Sequence, residues 1–312
     1  MINSPLISIV LCTYNNADSL AITLEQIACQ RLTDTSIVEV IVVDNNSPDH
    51  TRQVFDKFGL YSSIVFHYFF EPRQGLSHAR NTGVEKAKGQ YILFTDDDAD
   101  IPDDWVARYL QKIHEVAPDC LYSKININWE KPIPWWYTNR FRPCFVGLDY
   151  GDSAIDVDNF DKEFFGKNFC IKKEIILQYG GFDPALGRNG TRLIAGEETI
   201  IYRRLVEEGR RILYFPEAPV GHRLKDREYS EANITKQFID GAHSSYHVAK
   251  LTARKKLLDR PLGVLLDSLT AIPLSLANIV KYAIVRNRQE VFFHRVNLVR
   301  SLVLLRLWII KK

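Results

Sequence analysis

No Cys-x-x-Cys pair occurs in this 312-residue chain. Its five cysteines (Cys12, Cys29, Cys120, Cys144 and Cys170) are odd in number and irregular in spacing, which argues against a structural zinc site and against a disulfide framework. Charge of one sign is not in excess: the net value is +2, and no nucleic-acid partner is expected. The first residues, Met1-Ile-Asn-Ser-Pro5, lack a basic region, and the apolar run from Leu6 to Leu11 leads directly into a strand pattern. A signal peptide is therefore not expected, and cytoplasmic folding is. Internal repeats and low-complexity tracts are absent. The longest apolar stretch, Pro261 to Val285, is interrupted by Asp267, Pro273 and Lys281. What remains, 46% hydrophobic and 25% charged, is the composition of an ordinary globular protein with room for one large domain and an appendage.

The first third alternates strand and helix patterns. Ile7 to Thr13, Val38 to Asp44, Ser63 to Phe70 and Tyr91 to Thr95 are predicted strands; Leu76 to Lys88 and Asp103 to Val116 are predicted helices. Apolar, β-branched strands alternating with helices predict a mostly parallel sheet covered on both faces, with ligands beyond the carboxyl ends of the strands. Three consecutive aspartates, Asp96-Asp97-Asp98, follow the last of these strands. Such close like charges repel, and a divalent cation is the simplest compensation, because hard metals prefer carboxylate oxygens. Mg2+ keeps few protein ligands and completes its shell with substrate phosphates, so the cluster reads as a metal-diphosphate clamp. The competing reading is a solvated acidic turn before the helix that Asp103 and Asp104 open.

Further on, Leu121 to Trp129 and Phe164 to Lys172 are predicted strands, the second leading into a short helix from Lys173 to Tyr179. A helix is expected over Thr199 to Glu208 and a strand over Arg211 to Phe215. Between them lies an aromatic, Pro-rich segment that includes Trp135, Trp136 and Tyr137.

Four segments in order, Cys12-Thr-Tyr14-Asn15-Asn16, Val43-Asp44-Asn45-Asn46-Ser47, Gly75-Leu-Ser-His-Ala-Arg80-Asn81-Thr-Gly83 and the Asp cluster, resemble family 2 glycosyltransferases of GT-A fold. Gly166-Lys-Asn168, Gly180-Gly-Phe-Asp183, Gly196-Glu197-Glu198 and Gly221-His222 extend the resemblance from Ile7 to Arg223. It implies an α/β GT-A fold, a Rossmann-like, mostly parallel central sheet flanked by helices. Residues 1–118 would be its nucleotide-sugar-binding half and 119–228 its acceptor-binding and catalytic half, with a C-terminal helical extension over 229–312.

The resemblance also implies roles. Tyr14 and Asp44 would hold the nucleotide base, Thr13 would place backbone groups near base and ribose, and Arg80 would support the nucleotide side. Asp96 and Asp98 match the ends of an Asp-x-Asp motif: Asp98 would bind Mg2+ or Mn2+, Asp96 would meet the ribose or the metal's water shell, and Asp97 would be supporting. His222 would be a further contact to metal or diphosphate. Glu198 would be the base that deprotonates the acceptor, with Glu197 a competitor, since relatives commonly carry Glu-Asp here. Alternatives drawn from the residues alone are a surface Arg80 paired to Glu85 or Glu71, and Glu197-Glu198 as a helix N-terminus stabilised by the dipole.

Trp135, Trp136 and Tyr137 are candidates for stacking on an acceptor sugar, or alternatively for sealing the core or touching a membrane surface, and Asn168 is a candidate for hydrogen bonding the sugar. The expected activity is inverting, divalent-metal-dependent transfer from a nucleotide-diphospho-sugar, UDP-sugars favoured, to a saccharide or lipid-linked saccharide in surface or exported polysaccharide synthesis. A polyprenyl-phosphate glycosyltransferase and a non-catalytic saccharide-binding subunit are the alternatives. A sugar-1-phosphate nucleotidyltransferase is disfavoured, because no Gly-rich, Arg-containing loop follows the first strand. Past Tyr229, Asn233 to Leu258 reads as a polar and basic helix, and Val296 to Ile310 is a second apolar stretch with Arg300 and Arg306. Apolar helices flanked by basic residues suit an interfacial segment, so peripheral contact at the cytoplasmic face of a membrane is expected.

Overall fold

The computed structural model describes residues 5–58, 62–189 and 192–310. In chain order it contains β1 (Ile7–Thr13), α1 (Ala17–Ala28), β2 (Val38–Asp44), α2 (Thr51–Phe58), β3 (Val65–Phe70), α3 (Leu76–Lys86), β4 (Tyr91–Asp96), β5 (Ala99–Asp100) and α4 (Trp105–Val116). There follow β6 (Cys120–Tyr122), β7 (Ile125–Asn128), β8 (Ile155–Val157), β9 (Phe169–Lys172), α5 (Lys173–Gln178), β10 (Gly187–Asn189), β11 (Arg192–Ile194), α6 (Glu197–Glu207), β12 (Ile212–Tyr214) and β13 (Val220–Arg223). The chain ends with α7 (Glu231–Thr252), the pair β14 (Lys256–Leu257) and β15 (Arg260–Pro261), α8 (Leu262–Ile284) and α9 (Arg288–Ile310). These form two compact units. One takes the chain up to Asn128, Val146–Gly187 and Glu197–Leu224; the other takes Trp129–Phe145, Arg188–Gly196 and the chain from Lys225.

The first unit is built on an eight-stranded sheet of order β3-β2-β1-β4-β9-β6-β12-β8. Its apolar strands are buried from end to end, as a sheet covered on both faces requires. The two polar side chains inside β1 and β2 satisfy each other: Ser8 Oγ donates to Glu39 Oε1 at 2.6 Å, which also accepts Lys88 N at 2.6 Å. Strands β3, β2, β1 and β4 are parallel; β9 runs antiparallel to both β4 and β6; β12 is parallel to β6, and β8 antiparallel to β12. Register aligns Thr13 with Asp44 and Cys12 with Asp96, so three strand ends open on one crevice where the strand order reverses at β1.

The expected strand Leu121–Trp129 is two strands, because β7 leaves the large sheet to pair with β13, which also pairs with β5. The expected strand Phe164–Lys172 keeps only its second half, since Gly166-Lys167-Asn168 forms a turn before β9. In the second unit the helix expected to reach Leu258 stops at Thr252, and Leu258 and Asp259 take left-handed conformations in the β14–β15 turn.

Helices α8 and α9 form a hairpin of two 23-residue arms. Pro273 lies inside α8 without ending it. Arg260 closes the far end of α9, donating from Nη1 to the carbonyls of Trp308 and Ile309 at 2.6 and 2.9 Å. Ala242, Tyr246, Leu304 and Trp308 form its core against α7. Among the described residues, α8 is the helix long and apolar enough to cross a membrane, and only 17% of its apolar window is buried.

Candidate active site

The crevice begins at the β1 end. Thr13 Oγ1 donates to Asp97 Oδ2 and Asn16 Nδ2 to Asp97 Oδ1, both at 2.7 Å, so the Asp97 carboxylate turns toward the β1–α1 loop. Asp44, buried at the end of β2, accepts Ser47 N at 2.8 Å and Tyr68 OH at 2.6 Å. Each oxygen retains a lone pair for a base N–H. Tyr14, in the loop after β1, is 45% exposed.

Asp96 and Asp98 face a cation that the sequence reading left unassigned. Lys167, 1% exposed, places Nζ 3.4 Å from Asp96 Oδ2 and in direct contact with Asp98 Oδ1. On the other side of Asp98, His222 Nε2 lies 3.5 Å from Oδ2; β13 delivers it by pairing His222 with Ala99. Burial alone would raise the Asp98 carboxyl, but the Lys167 ammonium and His222 outweigh it and hold it well below the usual range. Arg223 fixes the backbone of the acidic turn, donating from Nη2 to Asp97 O at 3.1 Å and to Thr23 Oγ1 at 2.7 Å. A signal for Lys167 existed, since it sits inside the Gly166-Lys-Asn168 motif. Its burial depends on β9 packing beside β4, a long-range fact.

Arg80 is the hub of a second cluster. It is buried, with Nη1 donating to Glu197 Oε1 at 2.7 Å, Nη1 3.8 Å from Glu198 Oε2, and Nη2 4.0 Å from Asp96 Oδ1. The surface pairings do not occur: Glu71 takes Arg73 at 2.8 Å and Glu85 takes Lys86 at 2.9 Å. Arg80 thus faces the carboxylates at the start of α6, where the sequence reading set it on the nucleotide side. Gly166 makes this possible, because a Cβ there would stand 2.0 Å from Arg80 Nη2.

Glu197 is buried, and desolvation, then the charge of Glu198, push its carboxyl up against the opposing pull of Arg80. Among the described residues, Glu197 Oε2 and Glu198 Oε2 are buried without a hydrogen-bond partner. Gly196 precedes them at φ 121°, a conformation that favours glycine. A third carboxyl, Glu163, was not foreseen. It accepts Thr199 Oγ1 and is pushed up to about 7 by burial, the Thr199 bond opposing and the Glu198 charge adding to the rise.

Two acceptor-side expectations need correction. Asn168 is 1% exposed and fully engaged: Oδ1 accepts Trp105 Nε1 at 2.9 Å and Tyr109 OH at 2.8 Å, while Nδ2 donates to Lys124 O and Ala218 O, each at 2.9 Å. No capacity is left for a sugar, and its work is to tie α4 to two loops. Trp136 is buried in the second unit, stacked on Phe145 at 6.1 Å and edge-on to Phe141 at 5.6 Å. Trp135, 43% exposed, remains on the surface under the Arg288 guanidinium at 4.6 Å.

The model of glycosyl transferase family 2 matches residues 8–181, more than half of the chain. The chain belongs to family 2 of the glycosyltransferases. It is 30% identical over 226 residues to the glucosyl-dolichyl phosphate glucuronosyltransferase of Haloferax volcanii, covering 70% of this chain and 69% of that protein. It is 27% identical over 194 residues to the GalNAc(5)-diNAcBac-PP-undecaprenol beta-1,3-glucosyltransferase of Campylobacter jejuni, over 61% and 58% of the two. In fold it resembles the mannosyltransferase PcManGT of Pyrobaculum calidifontis, solved with GDP-Man and Mn2+. That match has a TM-score of 0.66 at 16% identity, over 99% of this chain and 88% of that one.

As a family 2 glycosyltransferase it is a transferase enzyme with the α/β GT-A fold. Its residues suit a divalent cation. A carboxylate and an imidazole 3.5 Å apart, at Asp98 and His222, are spaced as neighbours in one coordination shell. Among the described residues no group of three or more His, Cys, Asp or Glu is arranged to hold a metal. The remaining positions then fall to phosphate and water, the arrangement hard divalent cations adopt with nucleotides.

Proposed function

We propose that this glycosyltransferase carries out inverting, metal-dependent transfer from a nucleotide-diphospho-sugar to a hydroxyl of a lipid-linked saccharide, at the cytoplasmic face of a membrane. Asp44 and Tyr14 hold the base, Thr13 fixes the Asp97 turn beside the ribose, and Asp96 faces the ribose. Asp98 and His222 hold Mg2+ or Mn2+, which when bound neutralises the leaving diphosphate. Glu198 accepts the proton from the acceptor hydroxyl. Glu197 anchors Arg80, so of the two carboxylates Glu198 is the less committed.

The observation that carries this reading is the pair of buried carboxyl oxygens, Glu197 Oε2 and Glu198 Oε2, that no hydrogen-bond donor reaches among the described residues, with the Arg80 guanidinium only 3.8 Å from the second. Such atoms are costly unless a ligand completes them, and a base is what a neutral hydroxyl acceptor demands. The polyprenyl phosphate alternative has an acceptor already ionised, which needs no base. UDP is the favoured donor nucleotide. Isothermal titration of UDP, GDP and dTDP with and without Mn2+, on the native chain and Glu198→Gln, tests the assignment. Metal-dependent binding by both chains with transfer lost only in Glu198→Gln is expected; full transfer by Glu198→Gln would remove the base.

A further inference from the structure

An open cavity of about 500 Å³ lies at the turn of the α8–α9 hairpin, bordered also by Trp135 and Glu231. Its lining is basic and aromatic: Arg286, Arg288 and Arg295 with Trp135, Tyr282 and Phe292, against a single carboxylate, Glu231. Nothing else nearby neutralises these arginines. Glu290, the acidic residue of α9, is already taken by Arg140 and lies 3.7 Å from His294. Among the described residues none of the three guanidinium groups has an ion-pair partner within 4.0 Å. The aromatic wall is held in place, since Gln289 Nε2 donates to Trp135 O at 2.7 Å and the Tyr282 ring stacks on His294 at 5.6 Å.

An apolar stripe runs up to this cup. Leu266, Leu269, Leu276, Val280 and Ile284 recur along α8 at helical spacing and are all at least half exposed. An apolar face ending in unpaired guanidinium groups has the polarity of a phospholipid, chain along the stripe and phosphate in the cup. Guanidinium forks match phosphate oxygens, and the cup leaves room beside the phosphate for a sugar ring against Trp135 and Tyr282.

We propose that the cup of Arg286, Arg288 and Arg295 binds the phosphate of a membrane lipid whose chains lie along α8. This rests on the reading that the enzyme works on lipid-linked saccharides at a membrane, and it names where the lipid phosphate is held.

The test is co-sedimentation of the full-length chain with three kinds of vesicle: phosphatidylcholine alone, phosphatidylcholine with phosphatidic acid, and phosphatidylcholine with oleate at equal negative charge. Phosphatidic acid vesicles are expected to bind at least tenfold tighter than oleate vesicles. In Arg286→Gln/Arg295→Gln binding to phosphatidic acid vesicles should weaken by about 30-fold, from the loss of two basic contacts, and the preference over oleate should disappear. Lys57→Gln/Lys88→Gln, an equal charge change in the sheet unit, should keep it, and retained UDP binding checks that each variant is folded. Equal binding to phosphatidic acid and oleate would overturn the phosphate cup while leaving membrane association intact. No binding to any vesicle would overturn the membrane reading itself. Inorganic phosphate binding as tightly as the vesicles would make free phosphate, not lipid, the ligand.

Discussion

In the sheet unit, Lys167 and Arg80 are buried among carboxylates: Lys167 contacts Asp98 and lies 3.4 Å from Asp96, and Arg80 sits 2.7 Å from Glu197. In the helical unit, Arg286, Arg288 and Arg295 line an open cavity with Glu231 as its lone carboxylate. Each buried cation of the first unit has several anionic neighbours, so the site is held together by charge before any ligand arrives. The exposed cations of the second unit have water instead, which a phosphate can replace at little cost. Preorganised charge suits a site that stabilises a developing charge; unpaired surface charge suits one that captures an anion.

The largest effect should follow from removing the carboxylate that this network leaves free. Glu198→Gln keeps the shape and the contact to Arg80 but cannot take a proton, so transfer should fall by about 10³-fold. Glu197→Gln should instead cost stability, because Arg80 loses the partner 2.7 Å away. Single-turnover rates and melting temperatures of both variants separate the two roles. An exchange of phenotypes would make Glu197 the base.

Next comes the buried lysine. Lys167→Met takes the ammonium from Asp96 and Asp98, leaving them Arg80 at 4.0 Å and His222 at 3.5 Å, and breaking such a buried pair costs about 4 kcal/mol. Mn2+ supplies positive charge to the same carboxylates, so it should raise the melting temperature of Lys167→Met more than that of the native chain. Equal shifts in the two would mean that the ammonium and the metal do not share a place.

Residue periodicity made β1 and β2 legible to their end residues, and with them the row of strand ends at Thr13, Asp44 and Asp96. Both are local patterns in which burial on two faces leaves mostly apolar residues, with Ser8 and Glu39 satisfying each other between them. Lys167, Glu163 and the true surroundings of Arg80 were not legible, because each depends on strands or helices brought together from more than 30 residues apart. Asn168 and Trp136 misled for a related reason. A polar or aromatic residue in a motif looks outward in sequence, yet Asn168 spends all its hydrogen bonds inside and Trp136 packs within an aromatic cluster. The third effect follows from that: Asn168→Ala would strand Trp105 Nε1 and Tyr109 OH, costing about 3 kcal/mol in urea denaturation with donor affinity unchanged in the folded fraction. A loss of acceptor affinity at unchanged stability would return Asn168 to the sugar.

The smallest effect concerns a charge that the sheet unit does not pair. Among the described residues Glu163 has no cation in hydrogen-bond reach, and its carboxyl rises to about 7 through burial and the neighbouring Glu198 charge, against the Thr199 bond and the more distant Arg203 charge. In the unfolded chain it ionises near 4.5, so between these values the folded state holds the proton that the unfolded state has released. The stability this proton confers is complete below about pH 4.5 and is lost as the pH rises through 7, by about 3 kcal/mol at most. Glu163→Gln accepts the same Thr199 bond and carries no charge at any pH. It should therefore match the native chain at pH 5, exceed it at pH 8, and flatten this part of the stability profile measured by urea midpoints. A parallel pair of profiles would mean that Glu163 is ionised in the fold throughout. The Arg203 charge would then have to outweigh burial, and Glu163 would join Lys167 and Arg80 among the sheet-unit charges that a partner holds, in contrast to the three arginines of the cavity.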